Sequence, residues 1–160
     1  YSHYFLGRRA TALARIDLLN KLSQNFDVTV YTHADCKDIL PTAIYGGKID
    51  YYDTMPTVFQ HSKLNLNITL KTIQTGIPLR AWDILGCGGF LLTNFQQELC
   101  DFFIPGEDFV YYESPADAIE KAAYFLSHDR ERQEITHNAF EKIAASHTFH
   151  HRVQSMFEII

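Results

Sequence analysis

The chain has 160 residues, of which 46% are hydrophobic and 21% charged, and its formal net charge is −5. This length suits one domain, 1–160, with a full core, and the balance of apolar and charged residues argues against disorder. The acidic character and the scattered basic residues argue against nucleic acid as a partner, because duplex binding depends on neutralising phosphates.

Cysteine usage and hydropathy bear on the compartment. Cys36, Cys87 and Cys100 form neither a CxxC pair nor a Cys/His metal-ligand spacing. Sparse cysteines of this kind are typical of a reducing compartment, so we expect a cytoplasmic protein. No run of residues approaches the ~20 apolar positions of a membrane span, and the first residues do not form a signal peptide. Because the sequence opens without Met and in mid-pattern, we expect a fragment of a longer chain.

Helices and strands alternate in the predicted N-terminal half. Apolar residues at three-residue spacing from Leu13 to Leu22 favour a first helix, and alternating polar and apolar residues then favour a strand. A loop rich in Pro and Gly follows. The predicted elements are a helix at 8–24, a strand at 27–32, minor strands at 43–45 and 49–52, and a short helix at 55–62.

The C-terminal half continues this alternation and ends in consecutive helices. Ser114 can cap the helix that Pro115 begins. The predicted strands are 65–70, 89–94 and 109–112, and the predicted helices are 78–87, one capped by Asn94 and running through 103, one from 114, one at 129–145 and one from 148. Strands that alternate with helices indicate a parallel sheet with crossover connections. We therefore predict an α/β fold, a Rossmann-like three-layer parallel sheet with extra C-terminal helices.

A response-regulator or flavodoxin-like α/β domain is an alternative within this fold class. It would need an acidic phosphorylation pocket or a phosphate-binding loop after the first strand. The sequence from Tyr31 to Asp35 offers neither.

Residues that could carry chemistry are densest between Ser62 and Glu98. The loop at 73–78 leads into a predicted helix, whose first backbone N–H groups could receive a phosphate. Arg80 in that first turn could bind phosphate through two hydrogen bonds. Asp83, three residues later, could accept hydrogen bonds from both hydroxyls of a ribose. The same spacing also fits a local ion pair between Arg80 and Asp83.

Other polar and glycine positions have structural alternatives. Gly86, Gly88 and Gly89 do not match GxGxxG, and they indicate helix termination and close packing of helix on sheet. His147 and His151 could hold a metal at four-residue spacing, but no carboxylate or cysteine completes the set. We therefore predict a capping or packing role for these histidines and no bound metal.

Most of the chain, from about Phe5 onward, resembles a known family, and two stretches carry the resemblance most clearly. The segments KLNLNITL at 63–70 and GIPLRAWDILGCGGFLLTN at 76–94 are similar to the C-terminal domain of CgeB-like spore maturation proteins, which are assigned to group 1 glycosyltransferases. Tyr112–Pro115 and His147–Phe149 also resemble that family. The resemblance implies the GT-B fold, in which two Rossmann-like domains face each other across a cleft and the C-terminal domain holds the nucleotide-sugar donor.

The resemblance also implies a set of donor-binding residues. Group 1 enzymes commonly carry two glutamates eight positions apart, and these positions align with Thr75 and Asp83. Asp83 keeps a carboxylate for the ribose, whereas Thr75 lacks the acid that usually contacts the transferred sugar. The predicted donor-binding residues are Lys63, Asn65, Asn67, Thr75, Gly76, Arg80 and Asp83; catalytic residues are not identified.

The function implied is transfer of a sugar from a nucleotide diphosphate sugar to an acceptor. We expect no cofactor besides this donor substrate, and an N-terminal domain of the same protein as the partner that supplies the acceptor contacts. The 12 Phe and 9 Tyr residues also predict self-association through exposed aromatic side chains. The alternative is a non-catalytic binding or assembly module that keeps the glycosyltransferase fold.

Overall fold

The computed structural model describes residues 2–69, 73 and 75–158, with backbone alone for residues 2–5. The helices are α1 (Ser2–Ser23), α2 (Met55–His61), α3 (Leu79–Gly86), α4 (Pro115–Ser127), α5 (Asp129–Ser146) and α6 (Phe149–Glu158), with a 3-10 helix at Gln97–Asp101. The strands are β1 (Thr29–Tyr31), β2 (Ile44–Gly47), β3 (Asn65–Asn67), β4 (Leu91–Asn94) and β5 (Val110–Tyr112). None of the described helices is long and apolar enough to cross a membrane.

All strand pairs run parallel. β1 pairs with β2, and a second sheet has the order β3-β4-β5, with Asn67 opposite Thr93 and Asn94 opposite Tyr112. Parallel neighbours require crossover connections, which here contain α3 between β3 and β4 and the 3-10 helix between β4 and β5. The predicted α/β class with parallel strands is confirmed, and the described strands form two sheets.

Helices cover both faces of the β3-β4-β5 sheet. Adjacent residues of the central strand β4 belong to different apolar clusters: Leu92 packs with residues of α1 and α4, and Leu91 packs with residues of α2 and α3. Both leucines are buried. A strand covered on two faces needs apolar residues at successive positions, which explains the Phe90-Leu91-Leu92 run.

The first helix differs from its prediction. It begins at Ser2 and not near residue 8, and its buried positions are Thr11, Leu18 and Leu22, whereas Leu13 is 59% exposed. A three-residue step falls short of the 3.6-residue turn, so a stripe at that spacing drifts around the helix. Spacings of seven and four residues hold one face toward the core.

The predicted minor strand at 49–52 is wrong. The Asp50 side chain accepts hydrogen bonds from the backbone N–H groups of Tyr52 and Asp53, each at 2.8 Å, and this turn leads into α2. Aspartate competes with strand formation in this way because its side chain bonds the backbone two residues on. The other minor strand corresponds to β2, which lies at Ile44–Gly47.

The helix predicted from Asn94 through 103 is also corrected. The residues form only the short 3-10 helix at Gln97–Asp101. Asn94 ends β4, and its Oδ1 accepts a hydrogen bond of 2.7 Å from the backbone N–H of Thr69, so the side chain does not cap a helix. The strand predicted at 65–70 is shorter in the structure, where β3 spans Asn65–Asn67. Residue 70, the last of the predicted strand, lies outside the described residues.

The C-terminal helices match their predictions closely. Ser114 Oγ accepts a hydrogen bond from the backbone N–H of Asp117 at 3.2 Å, with Pro115 in the first turn of α4. α5 contacts both α3 and α4. It is attached to the loop before β5 by the Lys142 ammonium, which bonds the buried Asp108 carboxylate.

His147 packs in an aromatic cluster that joins α6 to α3. Its ring centroid lies 5.3 Å from that of Trp82 and 5.5 Å from that of Phe102, and the Arg152 guanidinium lies over the Trp82 ring. His151 Nδ1 lies 2.7 Å from the Thr148 hydroxyl at the start of α6. The predicted packing and capping roles of these two histidines are confirmed.

Stability should depend on pH through His147. Burial, then the charges of Arg152 and His151, lower its pKa below the ordinary 6.5. The unfolded chain therefore binds this proton more readily, so the stabilising contribution is present above about pH 6.5 and falls as the pH is lowered through that value.

We expect the urea midpoint of the wild type to fall more steeply than that of His147→Gln between about pH 7.5 and pH 5. The exposed His33 provides the control, since His33→Gln should leave the slope unchanged. Equal slopes for wild type and His147→Gln would show that the aromatic cluster does not couple to this titration.

Gly89 should tolerate no side chain. A Cβ there would lie 2.7 Å from the Phe59 carbonyl oxygen and 2.8 Å from Asn65 Nδ2, whereas a Cβ at Gly86 would meet its nearest atom, on Ile143, at 3.8 Å. Gly89→Ala should lower the free energy of unfolding by about 1–3 kcal/mol, and Gly86→Ala should cost far less. Urea denaturation of both variants measures the difference, and an equal cost would contradict the packing described.

Candidate functional site

A polar network lines the carboxyl edge of the β3-β4-β5 sheet. Asn67 Nδ2 donates hydrogen bonds to the hydroxyls of Thr69 at 3.1 Å and Thr93 at 3.0 Å. The bond from Thr69 N–H to Asn94 Oδ1 ties the chain beyond β3 to the end of β4. In open parallel sheets, ligands bind at this edge.

Asn67 forms part of the floor of this edge. It is only 5% exposed, and its amide group is engaged by two hydroxyls of neighbouring segments. Its side chain therefore has hydrogen-bond partners within the protein, at the ends of β3 and β4. Its predicted contact with a donor stays a prediction, but its contacts within the protein fix where the chain leaves β3.

The first turn of α3 stands above this edge. Its N-cap is Pro78, and no side chain of the described residues caps the helix. The Ala81 N–H donates to the Pro78 carbonyl at 2.9 Å, whereas the N–H groups of Leu79 and Arg80 have no partner among the described residues. Such groups are left for solvent or for an anionic ligand, and the positive end of the helix dipole lies beside them. Arg80 lies exposed in this turn, so its guanidinium and the N–H groups are offered at the same end of α3.

Asp83 lies on the next turn of α3 and is half-buried. Its Oδ2 accepts a hydrogen bond from the hydroxyl of Tyr51, in the turn before α2. This bond raises the pKa of Tyr51 to about 12, and the nearby positive charge of Arg80 acts in the opposite direction. Tyr51, Arg80 and Asp83 therefore belong to one group. The alternative, a local ion pair between Arg80 and Asp83, is not present among the salt bridges of the described residues.

Thr75 and Gly76 lie exposed in the loop that precedes α3. Gly76 has a φ of +99°, which favours glycine, and its N–H donates a hydrogen bond to the Glu98 carboxylate. One backbone N–H of the loop, that of Gly76, is therefore already bonded to a carboxylate of the 3-10 helix. Gln74 lies outside the described residues.

Sequence reasoning missed Tyr51 and Glu98. Tyr51 is 32 residues from Asp83, and Glu98 is 22 residues from Gly76. No local spacing marks such pairs, since the fold alone brings them together.

Lys63 lies at the opposite, amino edge of the sheet, two residues before β3. It lines a cavity of about 400 Å³ with Cys87 and Arg132. It also acts on Asp129, whose pKa is lowered first by its hydrogen bond and charge interaction with Arg132 and to a smaller extent by the charge of Lys63. The structure does not bring Lys63 together with Arg80 and Asp83.

Asn65 likewise lies at the amino edge, as the first residue of β3. Its side chain is 7% exposed, and its Nδ2 donates a hydrogen bond of 2.9 Å to the Phe59 carbonyl at the end of α2. This contact is structural. Across the residues that the structure describes, no group of three His, Cys, Asp or Glu side chains is arranged to hold a metal.

Asn65→Ala should destabilise the fold, because it leaves the Phe59 carbonyl without its donor. We expect a loss of about 1–3 kcal/mol in the free energy of unfolding, with nucleotide affinity of the folded protein unchanged. Asn25→Ala is the control, since the exposed Asn25 makes a similar bond to the Lys21 carbonyl at the protein surface. A weakened nucleotide affinity with unchanged stability would instead assign Asn65 to the ligand.

Comparison with known proteins adds a family and a fold. A family model described as glycosyl transferase-like matches residues 9–158, and no curated protein matches. A similar solved structure is the C-terminal domain of a glycosyl transferase group 1 family protein, LpcC, from Francisella tularensis, with a TM-score of 0.65 and 12% identity over 85% of this chain and 78% of that chain. The likeness confirms the predicted fold of a GT-B glycosyltransferase C-terminal domain.

Proposed function

We propose a nucleotide-sugar-binding function for this chain, which belongs to the glycosyl transferase-like family. The donor would lie at the carboxyl edge of the β3-β4-β5 sheet, against the start of α3. The observation that carries the proposal is the convergence there of Asp83, Arg80 and an uncapped helix N-terminus.

Each group fits one part of a nucleoside diphosphate. The Asp83 carboxylate is an acceptor that can take hydrogen bonds from ribose hydroxyls. The planar Arg80 guanidinium can donate two bonds to phosphate oxygens, and the first N–H groups of α3 can donate others. Ribose and diphosphate are adjacent in the ligand, as Asp83 and Arg80 are on the helix.

The proposed reaction is glycosyl transfer. The bond between the sugar and the diphosphate breaks, an acceptor oxygen bonds to the sugar, and negative charge develops on the leaving diphosphate. Arg80 and the α3 N-terminus would stabilise that charge in the transition state. A facing N-terminal domain would supply the acceptor contacts, as the resemblance implies. Lys63 has no part in this proposal because it lies at the other edge of the sheet.

A non-catalytic binding module is the second candidate function. Thr75 favours it, because a hydroxyl stands where group 1 enzymes commonly carry the acid that contacts the transferred sugar. Turnover of a nucleotide sugar by a protein that joins this chain to the proposed N-terminal domain separates the two: release of the nucleoside diphosphate supports the enzyme, and binding without release supports the module. The CgeB-like subfamily, a cytoplasmic location and self-association stay predictions.

Isothermal titration against UDP, GDP, ADP and dTDP tests the proposed site. Asp83→Ala and Arg80→Ala should each weaken the nucleotide that binds by about 1–3 kcal/mol, because each removes a hydrogen bond to a charged group. Arg130→Ala and Glu134→Ala on the exposed surface of α5 are the matched charge controls and should leave affinity unchanged.

Two results would count against the site. One is a nucleotide whose affinity is the same in Asp83→Ala, Arg80→Ala and wild type. The other is an equal loss in the α5 controls, which would indicate a general effect of charge and no localised contact.

A further inference from the structure

Tyr51 is held in place by its own turn. The Asp50 side chain accepts hydrogen bonds from the N–H groups of Tyr52 and Asp53, and these bonds lower the pKa of the Asp50 carboxyl. The Tyr51 ring meets the Tyr52 ring edge-on, with centroids 5.6 Å apart. The Tyr51 hydroxyl is thereby directed toward α3 from an element outside it.

The Tyr51 hydroxyl stays protonated and can donate a hydrogen bond to Asp83 throughout the physiological pH range. With the pKa of Tyr51 raised to about 12, the phenol keeps its proton throughout the physiological range. It bonds Asp83 Oδ2, and a carboxylate offers about four acceptor positions on its two oxygens. The bond therefore leaves acceptor capacity on Asp83 for hydroxyl groups of a ligand.

An aspartate on a partly exposed helix surface otherwise samples several side-chain rotamers. Binding a ribose would then require loss of that freedom, which weakens association. A hydrogen bond that already fixes the carboxylate removes part of this cost. The advantage is specific, since it applies only to ligands that use the carboxylate.

We propose that Tyr51 is a positioning residue of the donor site, which holds the Asp83 carboxylate in the orientation that receives the ribose hydroxyls. The proposal rests on the proposed function, because it takes Asp83 as the ribose contact. Tyr51 lies 32 residues from Asp83 in the sequence, and the fold brings its hydroxyl to that carboxylate.

The test compares Tyr51→Phe with Tyr52→Phe. Phenylalanine keeps the ring and removes only the hydroxyl. Tyr52 is 85% exposed, and its hydroxyl makes no hydrogen bond within the described part of the chain, which makes it a matched neighbour. The ligands are UDP with 2′,3′-dideoxy-UDP, and GDP with 2′,3′-dideoxy-GDP, titrated by calorimetry.

Tyr51→Phe should weaken the ribonucleotide that binds by about three- to tenfold and leave the dideoxy analogue within about twofold of wild type. Tyr52→Phe should change neither. An unchanged or tighter ribonucleotide affinity in Tyr51→Phe would overturn the proposal. So would an equal loss for both ligands, since that is the mark of a purely structural role.

Asp83→Ala, titrated with the same ligand pairs, separates the ribose contact of Asp83 from the positioning role of Tyr51. If it weakens the ribonucleotide selectively while Tyr51→Phe does not, the proposed function stands and only the positioning role fails. If Asp83→Ala has no effect on any ribonucleotide, the ribose contact fails and the role of Tyr51 fails with it.

Discussion

The shared direction of β3, β4 and β5 governs the rest of this structure. Because paired strands run parallel, every strand of the sheet ends at one edge, and the helix that returns from it begins at that same edge. Hydrogen-bonding side chains at strand ends and the positive end of a helix dipole are therefore brought together. Asn67 and Asn94 lie at this edge as the last residues of β3 and β4, and Arg80 lies there in the first turn of α3.

The parallel direction of the strands also explains why the predicted donor-binding residues lie at two opposite edges of the sheet. A residue that precedes a strand lies at the edge opposite to one that follows it, however near the two are in sequence. Lys63 and Asn67 are only four positions apart, yet β3 runs between them. Asn65 serves packing at the amino edge, where Gly89 admits its amide group. The donor-site proposal thus rests on the residues after β3 and in α3.

Local signals in the sequence were enough for much of the fold. Ser114 and Pro115 predicted the start of α4, and the strand predicted at 89–94 contains β4. The predictions were wrong where a side chain bonds the backbone. Asp50 closes a turn in place of the minor strand predicted at 49–52, and Asn94 bonds the Thr69 N–H and caps no helix. In the site, Arg80 and Asp83 could be found because three-residue spacing on a helix is local. Tyr51 and Glu98 could not, since their partners are distant in the chain.

A crystal structure of the chain with a bound nucleoside diphosphate tests the central claim most directly. The account predicts ribose hydroxyls within hydrogen-bond distance of the Asp83 carboxylate, and phosphate oxygens against Arg80 and the first turn of α3. Nucleotide bound instead at the amino edge, in the cavity between Lys63 and Arg132, would contradict it.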